Sequence, residues 1–188
     1  MVGSDFTRQP GSSAMQSTAL ISILCPDKAG LVAAIAGRLF DLGVNLRDTS
    51  FAVLGQGAEF TAVCDLEGEL TRDLVEGELR GLSELDRAEV TVRDFTMEPD
   101  PGPTAEITHH ISVSGGDQPG LIARLCETFV EFGVNIVSLN AGPSPGAEHR
   151  NYTIRIAVWI PEDAAKSCLA TVSNTAQNLG MTCRWETA

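Results

Sequence analysis

Basic residues are scarce in this sequence. Its 188 residues include 13 Lys and Arg against 25 Asp and Glu, which gives a net charge of −12. The few basic residues are scattered singly along the chain rather than clustered. Because an acidic surface repels phosphate backbones and anionic lipids, the sequence argues against direct binding to nucleic acid or to a membrane.

Long apolar runs are also missing. No stretch approaches the roughly 18 apolar residues of a transmembrane helix. The first sixteen residues, MVGSDFTRQPGSSAMQ, are polar and lack the apolar core of a signal peptide. We expect residues 1–16 to be a disordered tail.

The five cysteines are odd in number and include no CxxC pair. Most of them lie inside apolar runs, where cysteine is usually a small buried hydrophobe. This usage indicates free thiols in a reducing compartment, so we expect a cytoplasmic protein. Cys25, at the end of the first apolar run, could instead be a reactive thiol near a helix start, but packing is the favoured interpretation.

Catalytic and metal-binding motifs are absent as well. The sequence contains no nucleophile elbow, no catalytic Ser-His-Asp pattern and no phosphate-binding glycine loop. His109 and His110 are neighbours on a predicted strand and would face opposite sides, so they cannot chelate one metal together. With His149 they have no ligand spacing. We expect no enzyme activity, no cofactor and no metal.

A repeat dominates what is present. DKAGLVAAIAGRLFDLGVNL begins at Asp27, and DQPGLIARLCETFVEFGVNI begins ninety residues later at Asp117. Seven of the twenty aligned pairs are identical. Self-similarity at a fixed offset outweighs a length-based estimate of domain number, so we expect two domains, at 17–96 and 107–188.

The periodicity predicts the same element order in both halves. In the first half, Leu31, Ile35, Leu39 and Leu42 form one apolar stripe on a helix that Gly43 ends. The matching helix carries Leu121, Leu125, Phe129 and Phe132. A second helix is predicted at 71–85, a stretch that carries Leu74, Leu79, Leu82 and Leu85. Predicted strands of the first half are 18–25, 44–54, 58–67 and 87–95.

The resulting order, β-α-β-β-α-β twice, predicts an α+β fold of two ferredoxin-like sandwiches. Residues 97–106, MEPDPGPTAE, are rich in proline and acids and predict an extended linker. In this topology the second strand lies at a sheet edge, which leaves unpaired backbone groups. We therefore expect the halves to pair side by side, with each other or with those of another chain.

The repeated signature has a structural and a functional interpretation. Asp27 and Asp117 could be helix N-caps, Gly30 and Gly120 could lie in the first helical turn, and Asn45 and Asn135 could close turns. Alternatively, the helix start could bind a carboxylate while the acid and the amide bind an ammonium group. This second interpretation assumes that the loop before the helix and the start of the next strand lie at the same end of the fold.

The two stretches CPDKAGLVAAIAGRLFDLGVNL and GGDQPGLIARLCETFVEFGVNI resemble ACT domains, which are small regulatory modules that bind amino acids. The tandem pair, with RDTSFAVLGQGAEFTAVCDLEG after the first helix, is similar to the glycine cleavage system transcriptional repressor family. The resemblance implies paired ACT domains with ligands at their interface. It implies these site residues: Asp27, Gly30, Asn45, Asp117, Gly120 and Asn135. Well-known amino-acid-binding members have Asn where this chain has Asp.

The resemblance implies a non-enzymatic regulator, an oligomer such as a homodimer, that binds a small amino acid. Because the chain is acidic and shows no helix-turn-helix, contact with DNA would come through a partner protein. Two alternatives stay open. The chain could be a free-standing regulatory subunit of a metabolic enzyme, or a dimerisation module without a ligand.

Overall fold

The computed structural model describes residues 17–117, 119–144 and 151–188. The chain divides into two compact units, Met1–Pro99 and Asp100–Ala188. The predicted disordered tail, most of the loop at 142–150 and His149 lie outside the described residues.

The first unit has the predicted order β-α-β-β-α-β. Its elements are β1 (Ser17–Pro26), α1 (Leu31–Asp41), β2 (Asn45–Leu54), β3 (Gly57–Leu66), α2 (Arg72–Arg80) and β4 (Glu89–Asp94). The strands form one antiparallel sheet in the order β2-β3-β1-β4. The predicted edge position of the second strand is therefore confirmed.

The core of the first unit lies between this sheet and its helices. Alternate residues of β1, such as Ile21 and Ile23, are buried, because successive side chains of a strand point to opposite faces. They pack in one cluster with Leu31, Ile35 and Leu39 of α1. The predicted apolar stripe of α1 is thus confirmed. Gly43 ends the helix with a φ of 75°, a left-handed conformation that glycine adopts without strain.

The second unit repeats this architecture. Its elements are β5 (His109–Gly116), α3 (Leu121–Glu131), β6 (Asn135–Pro143), β7 (Asn151–Trp159), α4 (Ala165–Asn178) and β8 (Thr182–Thr187). Its sheet has the order β6-β7-β5-β8, with β6 at the edge that β2 occupies in the first unit. Leu121, Leu125 and Phe129 of α3 are buried in the core as predicted.

Two local predictions were wrong. The second helix ends at Arg80 rather than at 85, because Gly81 follows it and the chain then makes a short 3-10 turn at Ser83–Leu85. Its buried face is Val75 and Leu79, whereas Leu74 is exposed. The predicted extended linker is also not extended throughout, because Pro103–Ala105 forms a 3-10 turn.

None of the described helices has the length and apolar character that spanning a bilayer requires.

Candidate functional site

The turn that precedes α1 has an unusual backbone. Gly30 is the N-cap residue of the helix and adopts a left-handed conformation with φ 90°. The first helical hydrogen bond runs from the Ala34 N–H to the Gly30 carbonyl at 2.9 Å. The three amides before Ala34 have no acceptor within the helix, and no side chain caps them. The N-terminus of α1 therefore presents free N–H groups.

The second unit has the same arrangement. Gly120 is the N-cap of α3, with φ 82° and no side-chain cap. The Arg124 N–H donates to the Gly120 carbonyl at 3.0 Å. Neither helix has an acidic residue in its first turn. The repeat in sequence is thus a repeat of an uncapped helix start.

Asp27 and Asp117 are not the N-caps of these helices, so that structural interpretation was wrong. The N-cap position is taken by the left-handed glycine three residues after the acid, so each helix begins four residues after it. Asp27 is exposed, and its backbone N–H donates to the Gln56 carbonyl of the β2–β3 turn at 2.9 Å. Asp117 is exposed as well. Both carboxylates make no side-chain hydrogen bond with the described residues.

Glycine is needed at the two N-cap positions because of the backbone conformation there, and not because a side chain would lack space. A Cβ atom at Gly30 or Gly120 would meet no heavy atom within 4 Å. The positive φ, however, disfavours any residue with a Cβ. The second and third residues of each helix are also exposed, so the helix start lies at the protein surface.

Asn45 lies at the opposite end of the unit from Asp27 and Gly30, so the expectation that they converge was wrong. Asn45 faces Asp65 in the sheet, and Asp65 faces Thr18 near the start of β1. Asp27 follows the last residue of β1. The two ends are separated by about 25 Å, given a rise of about 3.3 Å per strand residue. The physical reason is that α1 runs back along β1, which carries the start of β2 to the other end.

The same separation holds in the second unit. Asn135 begins β6 and faces Trp159, next to the start of β5, whereas Asp117 follows the end of β5. Each unit by itself therefore brings an acid and a glycine together and leaves the asparagine apart.

Both asparagines are already held within their own units. The Asn45 Nδ2 donates to Asp65 Oδ2 at 3.5 Å, and the Asn135 Nδ2 donates to the Thr104 carbonyl at 2.7 Å. Among the described residues, their side-chain oxygens accept no hydrogen bond. These oxygens remain available to an ammonium group.

Cys25 is packed rather than reactive. Its side chain is buried, and Sγ lies 3.9 Å from the Ala58 carbonyl oxygen. Burial raises the pKa of the Cys25 thiol, and Lys28 only partly offsets the effect. A raised pKa keeps the thiol protonated, which is the opposite of what nucleophilic chemistry requires.

Histidine and metal chemistry also find no support in the geometry. The ring of His109 makes an edge contact with Trp185, at 6.2 Å between centroids, while His110 is exposed on the other face of the sheet. The described residues contain no group of three or more His, Cys, Asp or Glu side chains that could hold a metal ion.

The sequence interpretation missed one group of residues. Arg155 and Arg184, which are 29 positions apart, both lie opposite Ser112 in the second sheet. They line a groove of about 810 Å³ on the face that carries no helices. The alternation of residues around each arginine indicates the face, but only the strand register shows that they share it.

The fold and the repeated helix start define the class of the protein. It is an α+β protein of two tandem ferredoxin-like units, each with an uncapped helix N-terminus after its first strand. Residues 109–163 match the family model of the ACT domain. This part of the second unit is therefore similar to the ACT domain, and the first unit has the same ACT-like fold.

Solved structures agree with this fold. An unknown protein from Galdieria sulphuraria is similar, with a TM-score of 0.68 and 19% identity over 93% of this chain and 99% of that one. A protein provisionally named as a glycine cleavage system transcriptional repressor has a TM-score of 0.63 and 14% identity, over 93% and 98% of the two chains. At these identities the likeness concerns the fold. No curated protein sequence matches this chain.

Proposed function

We propose that this protein is a regulator without catalytic activity, which binds a small amino acid through its ACT-type units and acts through a protein partner. The observation that carries the proposal is the duplicated helix start. In both units an uncapped, accessible helix N-terminus follows an exposed aspartate whose carboxylate has no described partner. The match of the second unit to the ACT family, whose domains are typically amino-acid-binding, supports it.

The chemistry of the two groups suits a free amino acid. The backbone N–H groups and the positive end of the helix dipole suit the α-carboxylate. The aspartate carboxylate suits the ammonium group. A charge at a helix end contributes about 0.3–1 kcal/mol, and a charged hydrogen bond nets about 1.5–3 kcal/mol. Millimolar affinity needs only about 4 kcal/mol, so a few such contacts are sufficient.

The proposed ligand-binding residues come from both copies of the signature: Asp27, Gly30, Asn45, Asp117, Gly120 and Asn135. Because the asparagine lies at the far end of its own unit, one unit cannot supply a complete site. If two units pair antiparallel through the β2-type edges, the start of one edge strand lies beside the end of the other. The Asp27 amide is bonded to Gln56, just after the end of β2. Such pairing would bring the asparagine of one unit to the acid of the other.

A thermal-shift panel of the amino acids, followed by isothermal titration calorimetry, tests the proposal. A ligand that binds only the native state raises its apparent stability. We expect one or a few small amino acids to do so, and Asp27→Ala with Asp117→Ala to weaken binding about tenfold or more. Asp41→Ala is the matched control, since Asp41 is an exposed aspartate at the other end of α1.

Binding that survives in the double aspartate variant would contradict the site. No binding of any amino acid would contradict the ligand class and leave a dimerisation module as the better interpretation.

The kind of partner is inferred from the net charge and from one similar structure. A net charge of −12 disfavours direct contact with DNA, and the similar structure named as a transcriptional repressor suggests a role in transcription. We propose an indirect role in the regulation of amino-acid metabolism, in the cytoplasm. Affinity purification from the native host tests it. A DNA-binding regulator as partner supports it, and a metabolic enzyme as partner supports a free-standing regulatory subunit instead.

A further inference from the structure

We propose that the helix-free face of the second sheet binds a small organic anion with two acidic groups, phosphate or carboxylate, between Arg155 and Arg184. This site is separate from the proposed amino-acid site, and it does not depend on it.

The strand register places the two arginines on either side of Ser112. Arg155 of β7 and Arg184 of β8 both face Ser112 of β5, so all three side chains point to one face of the sheet. Adjacent strands are about 4.8 Å apart, which puts the two arginine Cα atoms about 10 Å from each other. Two long side chains at this spacing can reach one ligand from both sides.

Within the described part of the chain, neither guanidinium group forms an ion pair. Six of the nine arginines in the described part of the chain form ion pairs, namely Arg38, Arg47, Arg72, Arg80, Arg87 and Arg124. Arg155 and Arg184 form no ion pair or side-chain hydrogen bond with any described residue. In a protein with about twice as many acids as bases, two adjacent arginines without a carboxylate partner are available to an external anion.

The surroundings of the arginines form a groove whose lining is both polar and apolar. Its volume of about 810 Å³ lies within the range of about 300–1,000 Å³ that small-molecule sites occupy. His110, Ser138 and Asn140 line it and supply further hydrogen-bonding groups. Glu186 also lines the groove. Because its negative charge repels acidic groups, the groove favours an anion whose acidic groups point toward the two arginines.

The first unit shows that the fold does not require these arginines. At the equivalent positions of its sheet, Thr61 and Thr91 face Ser22. The shallow groove there, about 310 Å³, is lined by Glu59 and Glu89 and by no basic residue. Since the two units share their strand order and register, the arginine pair is a feature of the second unit alone and is not explained by folding.

The charge of the whole chain favours a small ligand over a nucleic acid. The phosphate backbone of a nucleic acid would extend beyond the groove, and a protein with a net charge of −12 would repel it. Bidentate arginine contacts recognise carboxylate and phosphate groups equally well by geometry, so the experiment must separate these two sources.

The test uses the full chain with pyrophosphate and citrate as separate probes, and calorimetry measures the binding of each. We expect saturable binding of at least one probe, with pyrophosphate indicating a phosphate ligand and citrate a carboxylate ligand. Arg155→Thr and Arg184→Thr copy the residues of the first unit, so they should fold. Each substitution should weaken probe binding about tenfold. High salt should also weaken probe binding by the wild-type protein, because salt screens the interaction between charges.

Arg93→Thr is the matched control, because Arg93 is an exposed arginine without a described ion pair on the helix-free face of the first sheet. It should leave probe binding unchanged. Absence of saturable binding to the wild-type protein would overturn the proposal. So would an equal loss in Arg93→Thr, or preferential binding of a single-stranded RNA oligonucleotide at the same face.

Discussion

Gly30 and Gly120 show how one residue type sets the start of a helix. Each adopts a positive φ immediately before its helix, and each leaves the first helical amides without a cap. A sequence pattern locates the glycines, but it does not distinguish a first-turn glycine from an N-cap glycine. The distinction matters because it moves the aspartate out of the capping position and leaves its carboxylate free.

Gly30→Ala should destabilise the first unit by about 1–2 kcal/mol, since a residue with a Cβ is strained in the left-handed region. Gly37→Ala is the control within the same helix. Gly37 has no positive φ, and a Cβ there meets nothing within 4 Å, so alanine should stabilise by about 0.5–1 kcal/mol. Urea unfolding measures both, and changes of the same sign would contradict the assigned conformation.

The buried thiols predict how stability responds to alkaline pH. Burial raises the pKa of Cys64 and of Cys168 from 9.0 to about 11. Between these values the unfolded chain releases the proton that the folded chain still holds, so stability present below pH 9 is lost as the pH rises toward 11. Urea unfolding across this range should show the loss, and Cys64→Ala should reduce its slope. An unchanged slope would contradict the assignment to Cys64.

At the scale of the elements, a buried carboxylate forms hydrogen bonds that connect three strands of the first sheet. Asp65 of β3 is only 3% exposed. Its carboxylate accepts hydrogen bonds from Arg47 Nε at 2.7 Å, Asn45 Nδ2 at 3.5 Å and Thr18 Oγ1 at 3.4 Å. These donors lie on β2 and β1, so one side chain joins three strands. The amphipathic pattern of β3 did not predict a buried acid, because burial on both faces depends on packing beyond the strand.

Asp65→Ala should destabilise the protein by about 2–3 kcal/mol, because it removes a buried carboxylate that accepts hydrogen bonds from three side chains, one of them the charged Arg47. Asp94→Ala is the matched control. Asp94 pairs with Arg72 on the surface, where both side chains are well exposed, and such pairs contribute about 0–1 kcal/mol. Thermal and urea unfolding of the two variants should differ clearly, and equal costs would contradict the structural role of Asp65.

At the scale of the whole molecule, the edge strands decide how the units can associate. β2 carries large apolar side chains that are partly exposed, including Phe51, Val53 and Leu54, on an edge whose backbone groups can pair with another strand. The side-by-side pairing of units stays a prediction, as does the homodimer. The proposed amino-acid site depends on this predicted pairing.

Val53→Lys should disrupt such pairing, because a lysine on an edge strand opposes the addition of another strand. We expect size-exclusion chromatography with light scattering to show a dimer for the wild-type protein and a smaller species for the variant. The amino-acid thermal shift should be lost at the same time. Thr91→Lys, on the other edge strand β4, should change neither. A wild-type monomer at all concentrations, or an unchanged mass in Val53→Lys, would count against β2 pairing between chains.

The sequence by itself determined the tandem α+β architecture, the buried stripes of α1 and α3 and the positions of the glycines at the ends of these helices. These features follow from local periodicity and from the backbone freedom of single residues, both of which are readable along the chain. The tertiary structure alone decided that Asn45 lies far from Asp27, that Asp65 is buried and that Arg155 and Arg184 lie on either side of Ser112. Such relations depend on the direction in which a helix crosses its sheet and on strand register, which only packing of the whole unit sets.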